Sequence, residues 1–375
     1  MPKRTERIVK VVISIYVLYI IYSSLWVGGF KSKTEHQTKL LASAVENEQH
    51  TNWLQYGLKY HPNVMPKLPD EATVRQQLAF QFPYEPNKAF EKNIWQTWKV
   101  GLDDDSFPSH YKEFSESWKF RNDKYNHYVL SDFECQVLID QLYASVPDVK
   151  RAYSIMPKSI LKADFFRYLI LFAKGGVYSD IDTVCLKPID KWASSSGSDA
   201  ESGMSPGLVV GIESDPDRPD WADWYTRRIQ FCQWSMQAKR GHPMLRELVA
   251  RITNLTLTRE KKGELKKILG KDAGGDIMNW TGPAIWTDVV FEYMNNVMQP
   301  QNNFKLKKYD ELISWKTFTG MTSPQFVKDV LVLPITSFSP GVGHMGSKDR
   351  NDPMAYVEHK FSSSWKSDDK TPGSA

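Results

Sequence analysis

Apolar and polar stretches alternate along the chain after residue 90, and their spacing predicts helices and strands in turn. Runs rich in β-branched and aromatic residues predict strands at 93–100, 177–186, 208–213 and 329–335. Runs with helical spacing predict helices at 132–143, 159–174 and 242–252. This alternation is typical of an α/β fold, and the chain is long enough to bury a large core.

The first strongly apolar segment, residues 11–30, contains no charged side chain in its 20 residues. That length is what a helix needs to cross a bilayer. A cleaved signal peptide is the alternative, but it would have an apolar run of about 7–15 residues and a clear small-x-small site. Four basic residues precede the segment and favour a cytosolic N-terminus. We therefore expect a retained signal anchor that places the rest of the chain in the lumen.

The anchor defines the expected domain organisation. Residues 1–10 form a cytosolic tail, and 31–90 a stem, because polar stretches there are interrupted by five prolines. A short amphipathic helix is expected at 39–58. Residues 91–366 form one luminal domain, and 367–375 a polar tail.

Charge and cysteine content exclude some function classes. The formal net charge is +4, and the first ten residues account for +3 of it, so the rest of the chain is nearly neutral. A neutral domain has no electrostatic footprint for nucleic acid, which is excluded as a partner. The three cysteines, Cys135, Cys185 and Cys232, allow at most one disulfide, and whether Cys185 pairs with Cys232 stays open.

Two charged residues interrupt the otherwise apolar helix predicted at 159–174. Asp164 and Arg167 are three residues apart and therefore lie on one helical face. Burying charge is costly, so both are candidate functional residues. A purely structural ion pair in the core is the alternative, and the helix alone does not decide between the two. Gly175 and Gly176 predict a left-handed end to the helix.

Three Asp-x-Asp patterns occur, at 103–105, 180–182 and 215–217, and their contexts separate them. The first lies in an acidic loop and the third in a Pro-rich turn, where solvent exposure is expected. Asp180 and Asp182 instead follow the buried helix, in a predicted strand where both carboxylates project to the same side. Paired carboxylates can hold a hard divalent cation beside substrate phosphates. This pair therefore predicts a metal site.

Several segments match the pattern of one known family. The helix carries A-D-x-x-R-Y at 163–168, followed by G-G-x-Y-x-D-x-D at 175–182. Other matching segments are I-W-Q-T-W-K at 94–99, N-W-T-G-P at 279–283, S-P-G-V-G-H-M-G at 339–346, and a histidine at 359 followed by S-W-K at 364–366. As a set, over residues 90–366, they resemble the fungal initiation-specific α-1,6-mannosyltransferases, which are D-x-D glycosyltransferases.

The resemblance implies a GT-A fold, a single Rossmann-like α/β domain that uses GDP-mannose and Mn²⁺ and retains the configuration of the sugar. It implies Asp180 and Asp182 as metal ligands, with His359 as the third ligand and His344 as the alternative. Catalytic roles fall to Asp164, Arg167 and Asp182. The residues implied to contact the nucleotide sugar are Gln96, Trp98, Asp164, Arg167, Tyr178 and Asp180.

The implied acceptor is a mannose of an N-linked glycan on a glycoprotein, extended in α-1,6 linkage by a type II Golgi membrane protein. Two alternatives remain: a paralogous subunit with little activity of its own, in a complex with other mannosyltransferases, or a mannosyltransferase acting on a sphingolipid. The intact charge cluster favours an enzyme. Residues 221, 224 and 225 are aromatic candidates for acceptor contact, with core packing as the alternative. No second carboxylate for a covalent intermediate is evident, so we expect acceptor attack on the face that GDP leaves.

Overall fold

A computed structural model describes residues 16–17, 35–43, 67–196, 205–268, 273–297 and 312–362. The segment at 11–30 was expected to cross a membrane, and the described residues include only Tyr16 and Val17 of it. No helix within the described ranges has both the length and the apolar character to cross a bilayer. Residues 35–43 are helical and overlap the start of the helix expected at 39–58, whose remainder lies outside the described residues.

The described chain folds as mixed α/β around a central sheet. Its strands are β1 (Asn93–Trp98), β2 (Asn126–Ser131), β3 (Gly176–Ser179), β5 (Leu208–Ser214), β6 (Gln230–Ala238), β7 (Gln325–Val327) and β8 (Val330–Leu333). They lie in the order β2-β1-β3-β6-β5-β8-β7. The β1 strand is parallel to β2 and β3, whereas β6 is antiparallel to both of its neighbours. A separate small sheet pairs β4 (Thr183–Cys185) with β9 (Val357–His359).

Helices complete the fold and bury both faces of the sheet. They are Val74–Gln81, Ser109–Arg121, Asp132–Leu142, Pro147–Ile155, Ser159–Lys174, Ala193–Ser196, Pro243–Lys261, Ala273–Trp280, Pro283–Val297 and Trp315–Phe318. Successive residues of one strand enter different apolar clusters, since Trp95 packs in one and Ile94 in the other. This is the two-residue alternation of a strand with both faces covered.

The folded domain begins earlier than the sequence suggests. Val74, Leu78 and Phe82 are buried in the main core, and Arg75 pairs with Glu247 at 2.7 Å. Their helix starts with a capping box at Thr73. The stem boundary expected at residue 90 is therefore too late, because prolines flank this helix without breaking it.

The helix Ser159–Lys174 is buried as predicted, with 11 of its 16 residues in the buried class. It ends at Gly175 and Gly176, whose φ angles are +66° and +101°. A Cβ on Gly176 would overlap the carbonyl oxygen of Asn93, so only glycine allows β3 to pack this closely against β1. Nearby, Cys185 is buried and free, as are Cys135 and Cys232.

The prediction of one continuous strand at 177–186 is wrong. The chain leaves the central sheet after Ser179, which pairs with Ser235, and enters the small sheet at Thr183, which pairs with His359. Between them, the backbone N–H of Thr183 donates to the carbonyl of Asp180 at 3.2 Å and closes a turn. Asp180 and Asp182 therefore lie on a turn between two sheets, and their proximity comes from the turn rather than from strand alternation.

Candidate active site

A cavity of about 330 Å³ lies at the edge of the central sheet where β1, β3 and β5 end and β6 begins. In α/β sheets, ligands bind outside the carboxyl ends of the parallel strands. Its polar and charged lining residues are Thr97, Lys99, Asp132, Ser159, Asp164, Arg167, Tyr178, Asp180, Asp182, Glu213, Gln230, Gln233 and His359. This composition makes it the candidate active site.

Arg167 joins two carboxylates in this cavity. Its guanidinium lies 3.1 Å from Asp164, one helical turn away, and 3.2 Å from Asp180 beyond β3. Its plane lies 5.2 Å over the ring of Tyr178, whose hydroxyl donates to Asp180 at 2.8 Å. Asp164 and Arg167 do pair with each other, but they are also part of the cavity wall, which a purely internal ion pair would not be.

Both carboxylate oxygens of Asp164 accept hydrogen bonds from neighbouring side chains. Gln233 donates to one carboxylate oxygen at 3.2 Å, and the Thr281 hydroxyl donates to the other at 3.0 Å. Burial raises the pKa of Asp164 to about 7, against the opposing effects of Arg167 and Thr281. Thr281 belongs to the N-W-T-G-P segment, which the fold brings to the site from the end of the helix Ala273–Trp280.

Asp180, Asp182 and His359 form a second cluster, in which the potential ligand atoms all lie within 4.8 Å of one another. The pairing of β4 with β9 brings His359 here, and its Nε2 lies 3.2 Å from Asp182. Burial raises the pKa of Asp180, partly offset by Arg167. Burial also acts on Asp182, but His359 and the backbone N–H of Ser362 outweigh it and lower the pKa of that carboxyl.

The donor set of this cluster suits Mn²⁺. Carboxylate oxygens and an imidazole nitrogen are ligands that manganese accepts, and three protein ligands leave positions for phosphate oxygens or water. The alternative ligand, His344, lies outside the cluster, with its Nε2 2.9 Å from the hydroxyl of Tyr225. The structure thus brings together the three residues that the resemblance implied as ligands, while their binding of metal remains a prediction.

Of the two residues of β1 that were expected against a nucleotide, only Trp98 lines the cavity. Gln96 is fully buried: its amide donates to the Asp180 carbonyl at 3.2 Å, and its Oε1 lies 2.9 Å from His127. The buried position of Gln96 therefore argues against direct contact with a nucleotide. Gln96 instead supports the backbone that presents Asp180.

The other two Asp-x-Asp patterns differ from each other in their exposure to solvent. The residues at 103–105 are exposed, as predicted. Asp215 contradicts its prediction, because it is buried, pairs with Arg228 at 2.7 Å and accepts the backbone N–H of Gly320 at 2.7 Å. Pro216 is buried as well, so exposure begins at Asp217, and of the two aspartates only Asp217 faces solvent.

The three aromatic candidates for acceptor contact differ in how exposed their side chains are. Trp221 is buried, which supports ordinary packing, and Tyr225 is engaged with His344. Trp224 is 68% exposed and lines a second cavity of about 500 Å³ together with Arg227 and Asn279.

Glu213 is a site residue that sequence reasoning missed. It stands near the end of β5, is half-buried, lines the main cavity and accepts the side-chain amide of Gln230 at 3.0 Å. Burial raises the pKa of its carboxyl. The available signal was a glutamate ending the apolar run L-V-V-G-I. The sequence analysis found no second carboxylate evident for a covalent intermediate, and the structure adds the carboxylate of Glu213 to the cavity.

Comparison with known proteins agrees with this site. A protein-family sequence model described as "glycosyltransferase sugar-binding region containing DXD motif" matches residues 108–199. The matched range includes Asp164, Arg167, Asp180 and Asp182, but not His359. The fold, the cavity and this match define a glycosyltransferase.

Similar proteins of known name show which family of glycosyltransferases the chain belongs to. An initiation-specific alpha-1,6-mannosyltransferase of Candida albicans is 60% identical, with 98% of this chain and 95% of that protein covered. Proteins of the same name from Saccharomyces cerevisiae and Schizosaccharomyces pombe are 37% and 45% identical. Coverage is 99% of this chain and 97% of the relative for the former, and 77% and 66% for the latter. The chain belongs to the initiation-specific α-1,6-mannosyltransferase family, which confirms the resemblance found in its sequence.

Proposed function

We propose that this protein transfers mannose from GDP-mannose, in α-1,6 linkage, to a mannose of an N-linked glycan, with retention of configuration and dependence on Mn²⁺. The observation that carries the proposal is the continuous network in one cavity, where Arg167 joins Asp164 to Asp180 and the turn places Asp182 beside His359. A protein that only scaffolds a complex has no need of so costly an arrangement.

In this function, Asp180, Asp182 and His359 hold Mn²⁺, which when bound neutralises charge on the diphosphate leaving group. Asp164 and Arg167 bind hydroxyls of the donor sugar, and their mutual pairing fixes both side chains before the sugar arrives. Tyr178 and Gln96 keep Asp180 in place through its carboxylate and its carbonyl.

We infer that the nucleotide part of the donor extends from the main cavity into a neighbouring one. A neighbouring cavity of about 490 Å³ shares Thr97, Asp132, Ser159 and Ala163 with the main one. Its wall includes Lys158 and Lys162, at the start of the helix that carries Asp164. Two lysines near a helix N-terminus favour an anionic ligand, which supports a nucleoside diphosphate donor.

Acceptor attack is proposed on the face that GDP leaves, with the departing phosphate taking the proton of the acceptor O6 hydroxyl. Trapping a mannosyl adduct on any carboxylate of the cavity would contradict this step. The remaining features are proposed from sequence and family: a GT-A fold, a membrane anchor at 11–30, a stem that ends before residue 74, and residence in the Golgi membrane with the catalytic domain in the lumen.

One experiment tests the core of the proposal. The full chain is assayed with GDP-mannose and a mannose-rich N-glycan, after chelation and after Mn²⁺ is restored, and Mn²⁺ binding is measured by calorimetry. We expect chelation to abolish transfer, Mn²⁺ to restore it, and Asp182→Asn to weaken metal binding at least about tenfold. The matched control is Asp105→Asn, in the exposed Asp-x-Asp pattern. Equal Mn²⁺ binding by the two variants, or full turnover in the presence of chelator, would refute the metal site.

A further inference from the structure

Five carboxylates line the main cavity, and Glu213 is a partly buried one among them that has no assigned task. Asp164 and Asp180 pair with Arg167, and Asp182 contacts His359. Asp132 is exposed at the first position of its helix. Glu213, within the part of the chain that the structure describes, makes no ion pair, and it accepts a hydrogen bond from the side-chain amide of Gln230 at 3.0 Å.

Such a carboxylate is costly to keep. It is half-buried, and burying a carboxylate that has no ion-pair partner costs free energy. The apolar core does not require it, because the preceding β5 residues Val209, Val210 and Ile212 already fill the two core clusters. Retaining a charge here therefore points to a ligand that completes its hydrogen bonds.

Its place in the fold indicates which ligand. The pairing of β5 with β6 is irregular between Ile212 and Ser214, and such bulges redirect side chains near active sites. Directly after β5, the chain forms the loop that carries exposed Trp224 and leads back to Gln230. Gln230 lines the main cavity, whereas Thr226 and Arg227, earlier in the same loop, line the second cavity beside Trp224. Glu213 thus lines the main cavity at the start of the loop whose later residues, Trp224 among them, line the second cavity.

Sugar hydroxyls are the donors that fit this carboxylate. Two carboxylate oxygens offer about four acceptor positions, and Gln230 occupies one of them. We propose that Glu213, held in place by Gln230, binds a hydroxyl group of the acceptor mannose and orients that sugar for attack on the donor. The inference rests on the proposed function, and it assigns Glu213 to the acceptor rather than to GDP-mannose or the metal.

The test uses the full chain, with steady-state kinetics for donor and acceptor separately. Glu213→Gln keeps the shape and removes the charge, and Glu213→Asp withdraws the carboxylate while keeping its charge. We expect each to lower kcat/KM for the acceptor about 10- to 100-fold, the effect of losing a hydrogen bond to a charged group. The KM for GDP-mannose and the slow hydrolysis of GDP-mannose without acceptor should stay within twofold. Glu91→Gln is the matched control, since Glu91 is also half-buried and accepts one hydrogen bond, but lies outside the cavity.

Acceptor analogues provide a second readout that a merely structural role would not move. Mannosides lacking one hydroxyl each are compared between the wild type and Glu213→Gln. One analogue should lose activity with the wild type and show no further loss with the variant, which identifies the bound hydroxyl. Unchanged acceptor kinetics, additive losses for every analogue, or equal losses of transfer and donor hydrolysis would each overturn the inference while leaving the mannosyltransferase proposal standing. A wild-type chain without transferase activity would overturn both.

Discussion

The guanidinium of Arg167 lies 3.2 Å from the carboxylate of Asp180, which makes one arginine the link between the helix that carries Asp164 and the turn that carries Asp180 and Asp182. Both side chains belong to the cavity wall. The groups proposed to bind the sugar and the metal are therefore fixed relative to each other before any substrate enters, and electrostatic preorganisation of this kind is a major source of catalysis.

We predict that Arg167→Lys lowers kcat/KM for GDP-mannose by about 100-fold, because lysine keeps the charge but cannot hold two carboxylates in a planar fork. Stability should fall by only about 1–3 kcal/mol, the cost of one charged hydrogen bond. Kinetics and thermal unfolding measure the two effects. The matched control is Arg251→Lys, because Arg251 likewise joins two carboxylates, Glu247 and Glu292, away from the cavity. Similar activity losses in both variants would show that the arginine link has no special role.

Burial of Asp164 predicts a particular pH dependence of stability. Its pKa rises from 3.8 to about 7 on folding, so the folded state binds a proton more tightly than the unfolded state. The contribution of this group is therefore most favourable below pH 3.8 and is lost as pH rises through about 7. The loss amounts to about 4 kcal/mol at most.

We predict that the difference in melting temperature between Asp164→Asn and the wild type shifts in favour of the variant as pH rises from 4 to 7, and is constant above pH 8. The amide cannot ionise, so it escapes the penalty that the carboxylate acquires. Thermal unfolding across this pH range measures the shift, with Asp103→Asn, in the exposed acidic loop, as control. A difference that does not change with pH would mean that Asp164 ionises in the folded protein as readily as in the unfolded chain.

Local patterns were enough to predict the parts of the site that depend on neighbours in sequence. The helix Ser159–Lys174, its glycine end and the spacing of Asp164 from Arg167 follow from helical periodicity and from the conformational freedom of glycine. His359 came from the family resemblance, since nothing in its surroundings predicts the register that pairs it with Thr183.

The errors arose where distant segments decide the outcome. The strand expected through Asp182 breaks because its two halves join different sheets, which a local pattern cannot show. Asp215 is buried because Arg228 and the backbone of Gly320 come to it from elsewhere in the fold. Glu213 reads in sequence as the polar end of a strand, and only the convergence of strand ends places it in the cavity.

Trp224 provides the last prediction, because it is the aromatic candidate that folding leaves available. It is 68% exposed, and the Arg218 guanidinium lies 5.2 Å over its ring. An exposed indole can stack on the apolar face of a sugar. Trp224 lines the second cavity, and the loop that carries it ends at Gln230 in the main cavity, so we expect a long glycan bound in the main cavity to extend toward Trp224.

We predict that Trp224→Ala raises the KM for a branched mannose-rich glycan by about 3- to 10-fold, the cost of one lost stacking contact. The KM for methyl α-mannoside, which is too small to span both cavities, and the KM for GDP-mannose should not change. The melting temperature should also stay constant, since so exposed a side chain adds little to stability. Phe120→Ala is the matched control, because Phe120 is 84% exposed on the helix Ser109–Arg121 and belongs to neither cavity. Equal KM increases for the glycan and the simple mannoside would place Trp224 outside the acceptor path and assign its effect to the shape of the loop.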